Sequence, residues 1–194
     1  MIFRYWRAVL MVFLLINFNS STSFQNDSCT QEIPTFACSD DIPLLIVDFD
    51  QVSMNSCGGH YHPSLLKSIV GVTWEDADEE KNYVVMMVDP DAKGLQGDNV
   101  FIHWMRWGIK GVDIVLGMQV SGKENAKYIP PNPKPGAKAH RYSIYLYEES
   151  LSPNPEFQPL PREIKKRKEF DIMKYTKDFK FCGPLAHNIF YANL

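Results

Sequence analysis

Tyr83-Val84-Val85-Met86-Met87-Val88-Asp89-Pro90-Asp91-Ala92 is the stretch that decides the fold. Its first six residues are apolar without a break, the pattern of a strand buried on both faces. Asp89 ends the run, and Pro90 stiffens the turn that follows. A buried strand that ends in a carboxylate delivers it to a cleft, where it needs hydrogen-bond donors. The nearest candidates downstream are His103 and His140, each inside an alternating, strand-like run.

The flanking segments read the same way. Leu44 to Phe49 is short and apolar, and Ser68 to Trp74 carries Ile69, Val70, Val72 and Trp74. Val100 to Ile109 alternates, with Phe101, His103, Met105 and Trp107 on one parity and Ile102, Trp104 and Arg106 on the other. Arg141 to Tyr147 alternates again: Tyr142, Ile144 and Leu146 oppose Ser143, Tyr145 and Tyr147. Turn residues separate them at Gly58-Gly59, Asp76 to Lys81, Lys93 to Asn99 and Gly108 to Gly111. Short strands at this spacing predict a mainly β fold, an antiparallel sandwich or barrel-like core. Two proline-rich loops, Ile129 to Gly136 and Ser152 to Pro161, interrupt it. The first leads into His140. Beyond Pro161 the pattern turns helical over Arg162 to Phe179, with Ile172, Tyr175 and Phe179 on one face. Gly183-Pro184 breaks it, and Pro184 suits the first turn of a short last helix with Leu185 and Ile189 at i, i+4.

The first 23 residues read as a secretory signal peptide. Arg4 and Arg7 form a basic end, Ala8 to Ile16 is an apolar run, and Ser21 and Ser23 supply small residues for cleavage after about Ser23. The apolar run is shorter than the roughly 20 residues a spanning helix needs. Residues 24–194 then form one domain, secreted to the extracellular space. Loss of the two arginines leaves 18 basic against 23 acidic residues, a net charge near −5. That balance argues against general nucleic-acid binding, which needs a basic surface. Cys29, Cys38, Cys57 and Cys182 all follow the signal, and an even count in an oxidising compartment predicts two disulfides with three connectivities open. Asn26-Asp27-Ser28 is a glycosylation acceptor at Asn26.

In His140-Arg141-Tyr142, strand alternation puts His140 and Tyr142 on one face and Arg141 on the other. His140 and Tyr142 can therefore share a pocket with Asp89, while Arg141 pairs with a carboxylate. Imidazole N–H groups and a phenol hydroxyl suit phosphate oxygens without a large fixed charge.

Asp89-Pro90-Asp91-Ala92, His103, Tyr128 with its proline-rich loop, and His140-Arg141-Tyr142 together resemble the phosphatidylethanolamine-binding protein family, over about Leu44 to Tyr191. The signal peptide and cysteines are similar to its secreted branch. The resemblance implies two packed antiparallel sheets with a few peripheral helices, including a shortened C-terminal helix, and a small anion pocket for phospholipid head groups or other phosphorylated ligands. It puts Asp89, His103, His140 and Tyr142 in the polar wall, with Asp91, Ala92, Phe101, Tyr128 and Pro130 around them. Against the family pattern, Lys93 replaces a proline, Phe101 a tryptophan, Ile102 a histidine and Lys138 a glycine. The C-terminal helix lacks its usual tyrosine, which predicts a more open site.

The reading is of a non-enzymatic binding protein without cofactor or metal. No G-x-S-x-G surrounds a serine, and Ser143 follows the motif only by position. Cys57-Gly58-Gly59-His60-Tyr61-His62 has metal-ligand spacing, but lacks a fourth ligand, and Cys57 is expected to be oxidised. Lys165-Lys166-Arg167-Lys168 reads as a solvated helix face, with peripheral contact to anionic membrane head groups as its functional alternative. The alternative function is an extracellular inhibitor or modulator of a protease or signalling receptor, acting on a protein partner.

Overall fold

The computed structural model describes residues 34–149 and 164–194. The expected signal peptide, Asn26, Cys29 and the proline-rich stretch 152–161 lie outside the described residues.

Among the described residues, nine strands form two sheets. Strands β1 (Ile46–Phe49), β2 (Ser53–Met54) and β4 (Ile69–Thr73) make the smaller one, in the order β2-β1-β4. The larger holds β3 (Gly59–Tyr61), β5 (Asn82–Asp89), β6 (Phe101–Lys110), β7 (Lys123–Ala126), β8 (His140–Glu148) and β9 (Cys182–Ala192), in the order β3-β9-β8-β5-β6-β7. All its pairings are antiparallel except β3 with β9. A 3-10 turn at Pro63–Leu65 and three short helices, α1 (Gly111–Val115), α2 (Ile164–Arg167) and α3 (Ile172–Asp178), fill out the described chain.

The larger sheet is buried on both faces, as the unbroken apolar run of β5 requires. Val85 and Met87 face the smaller sheet, together with Tyr142, Ile144, Leu146 and Phe190, against Leu45, Val47, Phe49 and Val72. Val84, Met86 and Val88 face the other way, with Tyr145 and Tyr147, and are covered by Phe170, Ile172 and Phe181. Tyr175 and Phe179 lie over the same layer, as the spacing with Ile172 predicts. Buried Asn188 on β9 ties the two sheets, donating to the carbonyls of Leu45 and Met54 at 2.9 and 3.1 Å. The Cys38–Cys57 disulfide pins the N-terminal segment beside β3, and Cys182 is disulfide-bonded as well. The Cys57 sulfur is thus tied up in the bridge, while His60 stacks on Tyr191 and His62 caps the 3-10 turn.

Four local expectations are corrected. The last segment is a strand, not a short helix. Leu185 and Ile189, four apart, lie on one face of a strand as readily as on a helix, and β8 offers β9 a long pairing edge from His140↔Ala192 to Leu146↔Ala186. The expected continuous helix is divided into α2 and α3. Phe170 leaves the helix to bridge Val100, and Asp171 caps α3 by accepting from the Lys174 amide at 2.9 Å. Gly108 does not end β6: at φ +67° it sits inside the strand, where the register with β5 slips between Tyr83 and Val85. Finally, strict alternation fails in β6. Val88 pairs with Ile102 and Met87 with Trp104, so His103 is an extra residue in a β-bulge. Ile102 and Met105 consequently face one core layer and Trp104 the other.

Candidate functional site

The bulge matters because of where it falls. β5 ends at Asp89, opposite Phe101 at the start of β6, and β8 begins at His140 beside them. Three strand ends thus converge, and the extra residue at 103 re-aims an imidazole from the sheet into the space between them. Two contacts lock it. The His103 Nδ1–H donates to the Ile129 carbonyl at 2.6 Å, and the Ile129 amide returns a bond to the His103 carbonyl at 2.9 Å. From behind, buried Arg167 donates to the carbonyls of Ile102 and His103 at 3.1 and 3.2 Å. The basic cluster is therefore not uniformly solvated: Arg167 is 2% exposed and braces the bulge. Burial accounts for the departure, since its Nη1 donates to two neighbouring strand carbonyls at the bulge.

The result is a cavity of about 310 Å³. Asp89, 3% exposed, His103, 6% exposed, His140 and Tyr142 supply its polar inner wall. Phe101, Ala92 and Pro130 supply apolar surface, and Lys93, Lys134 and Lys168 stand at the solvent side. Asp89 Oδ2 accepts from His140 Nδ1 at 2.8 Å, and Oδ1 accepts from the Asp91 amide at 2.7 Å. His103 Nε2 lies 4.0 Å from Asp89 Oδ2, beyond hydrogen-bond reach. The His103 ring meets Tyr142 edge-on and Phe101 at a tilt.

Burial sets the electrostatics. It raises the Asp89 carboxyl above the usual aspartate range, against the opposing pull of His140. It lowers His103 to about 4, so this ring is neutral at physiological pH. Burial and the Asp89 charge push the Tyr142 hydroxyl up, so it remains a donor.

Asp91 and Tyr128 stand outside this wall. Asp91 forms a two-point ion pair with Arg141, Nη2 to Oδ1 at 2.7 Å and Nε to Oδ2 at 2.9 Å, and also accepts the Arg141 amide at 2.8 Å. The guanidinium holds its carboxyl below the ordinary range. This is the structural pairing that strand alternation assigns to Arg141. The Tyr128 hydroxyl turns inward and donates to the Leu66 carbonyl at 2.6 Å. Lys138 does not line the cavity, and its backbone lies outside the left-handed region, so no glycine is required there. Lys134 is not singled out by the sequence, and Lys168 reads there only as part of the basic cluster. Lys134 sits in the proline-rich loop, and Lys168 reaches across to donate to the Lys93 carbonyl.

Fold and cavity define a class: a mainly β, two-sheet protein with a small polar pocket where strand ends meet. Comparison with known proteins gives the family. The phosphatidylethanolamine-binding protein family model matches residues 32–179, and the chain belongs to that family. A putative odorant-binding protein A5 of Drosophila melanogaster is 30% identical over 154 residues, 77% of this chain and 70% of that protein. The Arabidopsis thaliana protein BROTHER of FT and TFL 1 is 28% identical over 149 residues, 75% and 77% of the two chains. Among solved structures, a carboxypeptidase Y inhibitor in complex with its cognate proteinase superposes with a TM-score of 0.61 at 16% identity, covering 77% of this chain and 82% of that one. The phosphatidylethanolamine-binding protein of Plasmodium vivax does so with a TM-score of 0.56 at 16% identity, covering 81% and 91%. At these identities the structural likeness speaks for the fold.

Proposed function

We propose that the chain is a secreted, non-enzymatic binding protein whose pocket takes phospholipid head groups of the phosphatidylethanolamine kind or other phosphorylated ligands. One observation carries this reading: a cluster of buried Asp89, His103 and Tyr142 with half-buried His140 lies beneath three lysines in a cavity sized for a small anionic group. The lysines attract the anion, and the inner wall supplies directional hydrogen bonds. Catalysis is disfavoured, because no serine, threonine or cysteine lines the described pocket, and Ser143 is buried on the face of β8 opposite His140 and Tyr142. The Cys38–Cys57 bridge supports an oxidising, extracellular setting.

Calorimetric titration with phosphoethanolamine tests the proposal. Saturable one-to-one binding is expected, weakened at least about tenfold by His140→Ala. Absence of binding, or an unaltered affinity in a folded His140→Ala variant, would contradict it. The second reading, an extracellular inhibitor acting through the pocket mouth, draws its support from the carboxypeptidase Y inhibitor fold neighbour. Capture of a protease by the purified protein, blocked by phosphoethanolamine, is its distinguishing result.

A further inference from the structure

Tyr128 lines a second cavity, of about 190 Å³, which shares no lining residue with the pocket at the strand ends. The bulge in β6 sets it up. With His103 as the extra residue, Trp104 and Arg106 fall on one face of the strand, and both line this cavity. Trp104 and Val120 belong to the core between the sheets, Ile69 packs on it, and the three give the cavity an apolar floor. The Tyr128 hydroxyl is bound to the Leu66 carbonyl, so its ring is a fixed wall.

Arg106 brings a positive charge into this apolar setting. Nη1 donates to the Val120 carbonyl at 2.6 Å, while Nε is buried with no acceptor among the described residues. A guanidinium can only donate, and a buried donor without an acceptor is costly. The nearest carboxylate in the pairing does not supply one. Glu124 sits opposite Arg106 in the β6–β7 register, yet no ion pair joins the two. Glu124 instead stays exposed at the rim, where Oε1 accepts from the Tyr128 amide at 3.3 Å.

The cavity thus offers a half-buried cation, an anion at its edge and an apolar floor. A simple carboxylate suits Arg106 but is repelled by Glu124, and for a simple amine the signs reverse. A molecule that carries both charges side by side satisfies the two together. At roughly 30 Å³ per water, the volume corresponds to about six waters, the scale of a small amino acid rather than of a lipid.

We propose that this cavity is a second ligand site, which takes a small α-amino acid with an apolar side chain. Its carboxylate pairs with Arg106, its ammonium group with Glu124, and its side chain lies against Trp104, Ile69 and Val120. The site is independent of the phosphate pocket and of the function read there.

The test is a nuclear magnetic resonance titration of the isotope-labelled protein with three probes: leucine, isocaproate, which lacks the ammonium group, and isoamylamine, which lacks the carboxylate. Leucine is expected to give saturable shifts at Trp104, Arg106 and Glu124 with one dissociation constant, millimolar or below, and to leave His103 and His140 in place. Each analogue should bind at least about tenfold more weakly. Arg106→Gln should weaken leucine binding at least about tenfold as well. Should that variant not fold, Glu124→Gln decides, because its side chain is exposed on an edge strand. It should bring the affinity for leucine to within about threefold of that for isocaproate. Unmoved resonances at millimolar leucine, shifts at His103 and His140 instead, analogues that bind as tightly as leucine, or an unaltered leucine affinity in a folded variant would each overturn the proposal.

Discussion

His103 is held by its surroundings in a form it would not choose in water. Its folded value near 4 lies below the ordinary 6.5, because burial penalises the charged ring. Below about pH 6.5 the unfolded chain takes up a proton that the folded chain refuses until about pH 4. Stability should therefore fall across that window on acidification, by up to roughly 3 kcal/mol, and change no further on this account below it. Urea denaturation of the protein and of His103→Gln between pH 7 and pH 4 checks this: the variant should show the shallower decline, and parallel curves would contradict it. Asp89 runs the opposite way. Its raised value means that the charged carboxylate opposes folding above the unfolded value, so stability is lost as pH rises through the window up to the folded one. A buried carboxylate kept at such a disadvantage fits a residue retained for binding. The sequence exposes this pair only in part. Asp89 is legible because it ends an apolar run before a proline. The aim of His103 is not, because a bulge leaves no composition signal, and strict alternation would assign Phe101, His103 and Met105 to a single face.

At the scale of elements, local pattern and tertiary pairing disagree where the chain has two ways to satisfy itself. β5, β6 and β8 are legible because their apolar and alternating runs are long. β2, β3 and β7 span two to four residues and owe their strand state to neighbours. β9 is the instructive failure: Gly183-Pro184 and a four-residue spacing suit a helix start, yet the open edge of β8 and burial on both faces make it a central strand. Asn188 shows what that placement secures, since one amide group satisfies two buried carbonyls of the other sheet. Asn188→Leu keeps the number and branching of side-chain heavy atoms and removes both bonds. It should destabilise the protein by about 2–4 kcal/mol, read as a lowered denaturation midpoint with an unchanged slope. A loss within about 0.5 kcal/mol would mean that the two sheets do not depend on this tie.

For the whole molecule, the larger sheet is a central layer with a cover on each side, and the pocket opens where its middle strands end. The Cys38–Cys57 bridge, 19 residues apart, fastens the segment that carries Phe36 onto one cover. In the chain-entropy account a loop of that length contributes about 3 kcal/mol. The Cys38→Ser, Cys57→Ser double variant should lose about that much, with the thermal midpoint as readout and an unchanged midpoint as the contrary result. Family and overall architecture are legible from a few separated motifs, because the residues of those motifs sit at the ends of the strands that frame the pocket. The cationic mouth is legible only in part: Lys93 directly follows the Asp89-Pro90-Asp91-Ala92 motif and is expected beside the site, whereas Lys134 carries no such signal. Lys93, Lys134 and Lys168 come from three distant segments, and only the folded chain brings them to one opening.

The central claim is that this opening leads to a binding site for phosphorylated ligands. Its most direct measurement is a nuclear magnetic resonance titration of the isotope-labelled protein with phosphoethanolamine. The account predicts saturable shifts at His103, His140 and Tyr142, with one common dissociation constant. Resonances of these residues that stay in place at millimolar ligand would contradict it.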